Sequence, residues 1–264
     1  MELNFKDFEI LVPSLEEPLA FYQYTLGLPL RFRNETFADF DLGVGSRLAL
    51  WKVGHAVETC GENAVGTAGN RMMGSFRLKS KDAIDQAFSE FKSKNVNVIQ
   101  TPKVWPWGKY SFYFTDPNEY LWEVFTTDQS KADGFVITEV SFFVEDLERS
   151  LAFYRDNVGL TVKRSDQWTT EFQSGEAAFC LKGVAAFNKE LGSIITPNGH
   201  RCIGAFQFDT GEEVTEYYRQ LCENEVEFVT DLIDWPWGAR AAYFKDPDGF
   251  LWEIYAWVGK PYTW

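Results

Sequence analysis

The sequence predicts an α+β protein made of four βαβββ modules paired into two homologous domains. Three observations carry this: an internal repeat, a recurring order of strand and helix signals, and a polar break near mid-chain. Leu19-Ala20-Phe21-Tyr22 followed by Gly27-Leu28 returns as Leu151-Ala152-Phe153-Tyr154 followed by Gly159-Leu160. Trp105-Pro106-Trp107-Gly108 returns as Trp235-Pro236-Trp237-Gly238, and Asp116-Pro117 with Leu121-Trp122-Glu123 returns as Asp246-Pro247 with Leu251-Trp252-Glu253. All three pairs lie about 130 residues apart in the same order, the mark of a duplication. The copies are residues 1–127 and 135–264, joined by a linker over 128–134 whose Asp128-Gln129-Ser130-Lys131-Ala132-Asp133 is polar and aperiodic.

Each copy opens on an apolar strand, Phe8 to Val12 or Val140 to Val144, that runs into a helix. Ser14 and Glu17 have capping-box spacing in the first copy, and Asp146 is the N-cap candidate in the second. Leu15, Leu19 and Tyr22 follow at helical spacing, and the helix stops near Gly27. Three short strands come next: Leu30 to Arg33, Phe37 to Leu42 and Arg47 to Lys52. The same order then restarts. Ser75 to Leu78 is a strand, and Ser80 to Ser93 a helix with Ile84, Phe88 and Phe91 on one face. Val96 to Ile99, Tyr110 to Thr115 and Tyr120 to Phe125 are strands. The second copy repeats this from Ala205 to Phe208, through a helix capped by Thr210 and Glu213, to three strands ending at Tyr255.

Composition narrows the function classes. Hydrophobic residues make up 45% and aromatic residues 17%, enough to build a core. No apolar run approaches the roughly 18 residues of a membrane span, and Met1 to Asp7 lacks a secretory layout, so a cytoplasmic protein is expected. The net charge of −14 argues against nucleic acid, which requires a basic stripe. Cys60, Cys180, Cys202 and Cys222 have no CxxC spacing and are expected as reduced thiols.

The second copy carries the closest family marks. They are Val136-Ile137-Thr138-Glu139-Val140, then Val144 through Tyr154 with Gly159-Leu160, and the ending from Trp235 through Asp246-Pro247-Asp248-Gly249 to Trp252-Glu253. In these the chain resembles the vicinal oxygen chelate superfamily of glyoxalases, bleomycin resistance proteins and extradiol dioxygenases. The resemblance implies curled, mostly antiparallel sheets that form cup-shaped cavities, which often hold a divalent metal. Within the closing hairpin, Asp248-Gly249 supplies turn residues that tolerate positive φ. Pro and Gly suit the second and fourth positions of the Trp-Pro-Trp-Gly turn. The first copy has Asn118-Glu119 at the hairpin and so lacks that glycine, and the second copy is the expected carrier of a family-like site.

Carried over position by position, the family's first-strand ligand falls on Glu139 and Asp7, and its closing-strand glutamate on Glu253 and Glu123. The third position falls near Ile203 and Met73. The fourth falls among Ala49 to Trp51 and Phe179 to Leu181. His55 and His200 lie in loops off the motif, so a two-His, one-Glu iron site is not expected. Each cup is left with a carboxylate pair. Such a pair could act as acid and base, with Glu253 and Glu139 as first candidates and Glu123 and Asp7 behind them. It could hold Mg²⁺, Mn²⁺ or Ca²⁺ weakly, with Glu139 and Glu253 as ligands. Alternatively Glu139 or Asp7 points outward or pairs with an arginine such as Arg240.

Trp122, Trp252, Phe125 and Tyr255 on closing strands are expected to fill a core. Trp105, Trp107, Trp235 and Trp237 sit on connections, where ligand contacts gather. Two functions stay open: a binding protein that encloses a small organic molecule in an aromatic-walled cup without the full metal set, and a lyase or isomerase of the glyoxalase type. The expected partner is a small-molecule ligand or substrate. The tandem can act as its own pseudo-dimer in a monomer, or the chain can form a homodimer. A pure interaction module is permitted by the acidic surface and recommended by nothing else.

Overall fold

The structure, a computed structural model, describes residues 3–42, 45–63, 65–66, 69, 71–127, 136–175, 177–193, 195 and 201–259; the expected linker and His200 lie outside these. The first module is β1 (Asn4–Val12), α1 (Glu16–Ala20) widening into a π turn (Phe21–Thr25), β2 (Leu30–Arg33), β3 (Phe37–Asp41) and β4 (Arg47–Lys52), with an appended helix α2 (Val53–Cys60). The second is β5 (Met72–Arg77), α3 (Lys81–Ser93), β6 (Asn97–Val104), β7 (Tyr110–Thr115) and β8 (Leu121–Thr126). The third is β9 (Val136–Val144), α4 (Leu147–Ala152) with its own π turn (Phe153–Asn157), β10 (Thr161–Ser165), β11 (Thr169–Gln173), β12 (Ala178–Gly183) and helix α5 (Val184–Leu191). The fourth is β13 (Cys202–Phe208), α6 (Gly211–Glu223), β14 (Ile233–Asp234), β15 (Ala239–Lys245) and β16 (Leu251–Trp257).

Local chemistry sets most boundaries as the sequence indicates. Ser80 accepts from the Ala83 amide, Asp146 from that of Arg149, and Thr210 with Glu213 forms a complete capping box. The expected box at Ser14 and Glu17 does not form. The helix starts one residue later, at an N-cap Leu15, and the Ser14 hydroxyl turns to the carboxylate of Glu16. Gly27 and Gly159 end the first helix of each copy in left-handed backbone. The hairpins before β8 and β16 are alike despite their different sequences, because Glu119 adopts the positive φ that Gly249 adopts. Trp105-Pro106-Trp107-Gly108 and Trp235-Pro236-Trp237-Gly238 form the expected turns, each closed by the glycine amide on the first tryptophan's carbonyl at 2.9 Å.

The four modules assemble into two homologous eight-stranded sheets, and each sheet takes one module from each repeat. One runs β14-β15-β16-β13-β1-β4-β3-β2 and joins the first module to the fourth. The other runs β10-β11-β12-β9-β5-β8-β7-β6 and joins the second to the third. The central seams are antiparallel, β1 on β13 and β5 on β9, while β1–β4, β13–β16, β5–β8 and β9–β12 pair in parallel. Residues 1–127 and 135–264 therefore do not each enclose a cup.

What each repeat does own is an aromatic core. Tyr22 of the first module donates to Asp116 of the second at 2.6 Å, and Tyr154 of the third to Asp246 of the fourth at 2.6 Å. Trp122 packs edge-on to Tyr22, and Trp252 edge-on to Tyr154. Past the bulges between Phe5 and Asp7 and between Ile137 and Glu139, the strands alternate. Phe8, Ile10, Leu48, Leu50, Trp252 and Ile254 face these cores, and their neighbours Glu9, Ala49 and Glu253 face the concave side of the sheet.

Candidate functional site

The sheet of the first and fourth modules curls around an open cup with a cavity of about 280 Å³. Strand register places its polar groups. Asp7 on β1 lies opposite Ala205 on β13, and Ala205 lies beside Glu253 on β16, so the two acids flank an alanine across three adjacent strands. Glu9, two residues along β1, faces the same side next to Ala49 of β4, which is itself next to Asp39 of β3. Arg47 of β4 pairs in register with Asp7 and grips its carboxylate through Nε and Nη2, while the Tyr255 hydroxyl donates to Asp7 as well. Aromatic walls rise above this floor: Trp51, Phe37, Tyr243, Trp257 and the indole of Trp237. Trp235 stacks beneath Trp237 at 4.6 Å and anchors it by donating from Nε1 to the Ala241 carbonyl.

Four carboxyl groups, Asp7, Glu9, Asp39 and Glu253, line this cavity with a single lining guanidinium, Arg47. Asp39 also has Arg31 at 3.9 Å and Arg47 at 3.7 Å. Glu253 accepts from the Tyr243 hydroxyl at 2.8 Å. Burial pushes Glu253 up to about 7, with Tyr243 opposing and the negative charge of Asp7 reinforcing the shift. Burial, then the nearby carboxylates of Glu253 and Asp7, raises Glu9 well above the usual range, and burial raises Asp39 too. Among the described residues, Glu9 Oε2 and Asp39 Oδ1 have no hydrogen-bond partner.

The other cup is built on the same register and is filled from within. Glu139 and Glu123 flank Ser75 as Asp7 and Glu253 flank Ala205. Lys109 places its ammonium between them, 3.0 Å from Glu123 and 3.1 Å from Glu139, and Lys182 binds the second oxygen of Glu139. Glu123 is also held by Ser75, Ser111 and Tyr113. Burial alone would raise Glu139; Lys109 and Lys182 outweigh it and hold the carboxyl far below the usual range. Trp105 and Trp107 stack at 5.2 Å, and Trp107 meets Phe187 of α5 at 4.7 Å, so this pair closes the cup and lines no opening. Three of the substitutions that separate the cups run small to large: Ala239 against Lys109, Ala56 against Phe187, Ala49 against Cys180.

Several expectations change on this geometry. Glu253 and Glu139 lie in different sheets and cannot share one substrate; the pairs the fold makes are Asp7 with Glu253 and Glu123 with Glu139. Neither Glu139 nor Asp7 turns outward; Asp7 does pair with an arginine, but that arginine is Arg47, and Arg240 pairs with Asp234. Of the four connection tryptophans Trp237 lines the open cavity, Trp235 supports it, and Trp105 and Trp107 pack as core. The third ligand position is occupied by Ala205 and Ser75, two residues beyond Ile203 and Met73. The open cup draws on both repeats, so its chemistry is not confined to the second.

The family's metal finds a poor donor set. In the filled cup an ammonium stands between the two carboxylates where a divalent ion would have to sit. In the open cup Asp7 is already engaged by a guanidinium, and the neighbouring positions are alanines. Among the described residues no group of three or more His, Cys, Asp or Glu side chains is arranged to hold a metal ion. The described helices include none long and apolar enough to cross a membrane, and all four cysteines are free.

Glu9, Arg47, Asp39, Trp51 and Tyr243 were missed by the sequence reading, and His55, expected in a loop, sits on α2 and lines the open cavity, where it accepts from the Trp51 indole at 2.8 Å. A signal for the open cup was present in the repeat itself: Trp-Pro-Trp-Gly is followed by Lys109-Tyr110-Ser111 in one copy and Ala239-Arg240-Ala241 in the other. Small residues at inward strand positions mark vacated volume.

Comparison with known proteins agrees with this architecture. Residues 4–124 and 136–254 each match the family described as the Glyoxalase/Bleomycin resistance protein/Dioxygenase superfamily. The uncharacterized protein YraH of Bacillus subtilis (strain 168) is 28% identical over 124 residues, which cover 45% of this chain and 96% of YraH. Glyoxalase I from Zea mays superposes with a TM-score of 0.68 at 16% identity, covering 97% of this chain and 92% of that one. Its V278E mutant gives 0.70 at 17% identity, with the same coverage. At such identity these structures speak to the fold alone.

Proposed function

Because this chain belongs to the Glyoxalase/Bleomycin resistance protein/Dioxygenase superfamily, we propose that it binds a small organic molecule in the cup formed by β1–β4 and β13–β16, without the family's metal set. One observation carries the reading. The cavity of about 280 Å³ is walled by aromatic rings over a floor of four acids and Arg47, with Ala49 and Ala239 leaving it open, while the matching cup in the same chain is plugged by its own side chains. Concave, mostly apolar sites with a few convergent polar groups are the usual form of small-molecule sites, and this one lies just below their common range of about 300–1,000 Å³. Trp51 and Trp237 on the wall make the test direct. Tryptophan fluorescence titrated with small aromatic compounds in EDTA should show saturable quenching that Trp237→Ala weakens by about tenfold, the loss expected of an aromatic anchor. Binding that requires an added divalent metal, or that Trp107→Ala weakens instead, would refute it.

A lyase or isomerase of the glyoxalase type is the second reading, favoured by Glu253. Its carboxyl faces the cavity and is pushed to about 7, the range in which a group can both give and take a proton near neutrality. Its partner in that role is Glu9, with Glu139 excluded by the fold. Glu253→Gln should then abolish turnover and leave ligand affinity within a few fold; retained turnover would end this reading.

A further inference from the structure

We infer that the open cup selects an organic cation, a primary or secondary ammonium whose nitrogen sits between Glu9 and Glu253 and whose apolar part lies against Trp51 and Trp237. This deepens the binding reading above and rests on it.

The filled cup supplies the precedent inside the same molecule. There Lys109, reaching from the start of its strand, places an alkylammonium between the carboxylates of Glu123 and Glu139, 3.8 Å from the centre of the Phe125 ring. Lys182 adds a second ammonium on Glu139. The open cup repeats the frame without those lysines: Asp7, the counterpart of Glu139, is held by Arg47, and Glu9 stands at the position of Ser141 as the second acid beside Glu253. Ala239 stands at the position of Lys109, Trp51 at that of Lys182, and Tyr255 at that of Phe125. In the filled cup Glu123 and Glu139 meet two lysines, and Glu171, at the position of Asp39, meets Lys163 and Arg164. In the open cup Arg47 binds Asp7 and, with Arg31, flanks Asp39, and among the described residues neither Glu9 nor Glu253 forms an ion pair.

Burial disfavours the charged form of both carboxyls, and a cation entering the cavity supplies the counter-charge that offsets this cost. Glu9 is the independent sign. It is 7% exposed, it lines the cavity, and its Oε2 has no hydrogen-bond partner among the described residues. An ammonium brings two or three N–H donors to that atom and to Glu253, and the surrounding rings attract it through their negative faces. A carboxylate or phosphate ligand would instead meet repulsion from the same side chains.

The experiment has a ligand arm and a ligand-free arm. Calorimetry in EDTA compares phenethylamine, 2-phenylethanol and 3-phenylpropionate, three probes of similar size that differ in charge. Phenethylamine should bind at least about tenfold tighter than the alcohol, the scale of a charge-assisted hydrogen bond, with no detectable binding of the acid. Glu9→Gln should remove that preference and leave the alcohol's affinity unchanged. In the second arm, Ala239→Lys restores the tethered ammonium of the other cup, and Ala239→Met adds a stem of similar bulk without charge. The lysine variant should melt several degrees above the methionine variant and lose phenethylamine binding. A methionine variant that melts as high as the lysine variant overturns the inference. Equal or tighter binding of the alcohol or the acid, still weakened by Trp237→Ala, also overturns it and leaves the binding cup standing. No binding of any probe, with no gain from Ala239→Lys, overturns both.

Discussion

Glu253 and Glu123 occupy matching positions on β16 and β8, yet different side chains surround them. Glu123 accepts from Lys109, Ser75, Ser111 and Tyr113, whereas among the described residues Glu253 accepts from the Tyr243 hydroxyl alone and faces Asp7 and Arg47. An unfolded glutamate titrates near 4.3, and burial lifts Glu253 to about 7 in the fold. Between those values the folded chain keeps a proton that the unfolded chain releases. The stability this group contributes is therefore full below pH 4 and is lost as pH rises through 7, an effect on the order of 3 kcal/mol. Glu253→Gln should flatten the loss of stability between pH 5 and 8 in urea titrations; parallel curves for variant and parent would show that Glu253 is not the titrating group. Removing a cation from the filled cup has the reverse character. Lys109→Met leaves Glu123 buried with no ion partner and should cost about 3–5 kcal/mol, read as a fall in the urea midpoint. A loss below about 1 kcal/mol, the range of exposed pairs, would mean that water enters that cup.

The repeated Leu-Trp-Glu element explains itself on the scale of a strand. The glutamate of each triplet faces a cup and the tryptophan faces a core, as period-two alternation demands. Trp252 lies flat on Phe206, 4.8 Å away, and its ring covers Gly204 so closely that a Cβ there would approach within 2.6 Å. Trp122 does the same over Phe76 and Gly74. Gly204→Ala should therefore destabilise by about 1–3 kcal/mol through overpacking, measured by thermal unfolding. Gly54→Ala, where nothing lies near, should be close to neutral. Element boundaries were largely legible in the sequence because caps and turn glycines act locally. The box at Ser14 failed because Glu16, one residue nearer than Glu17, captures the serine hydroxyl. Arg47, Glu9 and Asp39 were illegible for a different reason. A charged residue alternating with apolar ones reads as the solvent face, and only the register of distant strands shows that this face lines a cup.

On the scale of the whole molecule, the four modules were legible and their partnership was not. The motifs that define each repeat build its core, since Tyr22 meets Asp116 and Tyr154 meets Asp246 inside one copy. The seams β1–β13 and β5–β9 join strands from different copies, and nothing local in those strands names the partner. Each half expressed alone would keep its core and expose β1 and β5, or β9 and β13, as unpaired edges. Residues 1–127 should therefore run as a dimer or larger species in sedimentation. Mixing them with residues 135–264 should restore a single heterodimer that regains ligand-induced quenching at Trp237. Monomeric, well-folded halves would contradict the shared seams.

That exchange of modules has a consequence for inheritance. Each cup is encoded in two stretches of the gene, and each half of the gene writes one wall of both cups. A recombination that replaced one half would change the open cup and the filled one together, so a new specificity could be acquired cleanly only by scattered point changes. The alanines at 49, 56 and 239, set against Cys180, Phe187 and Lys109, are changes of that scattered kind.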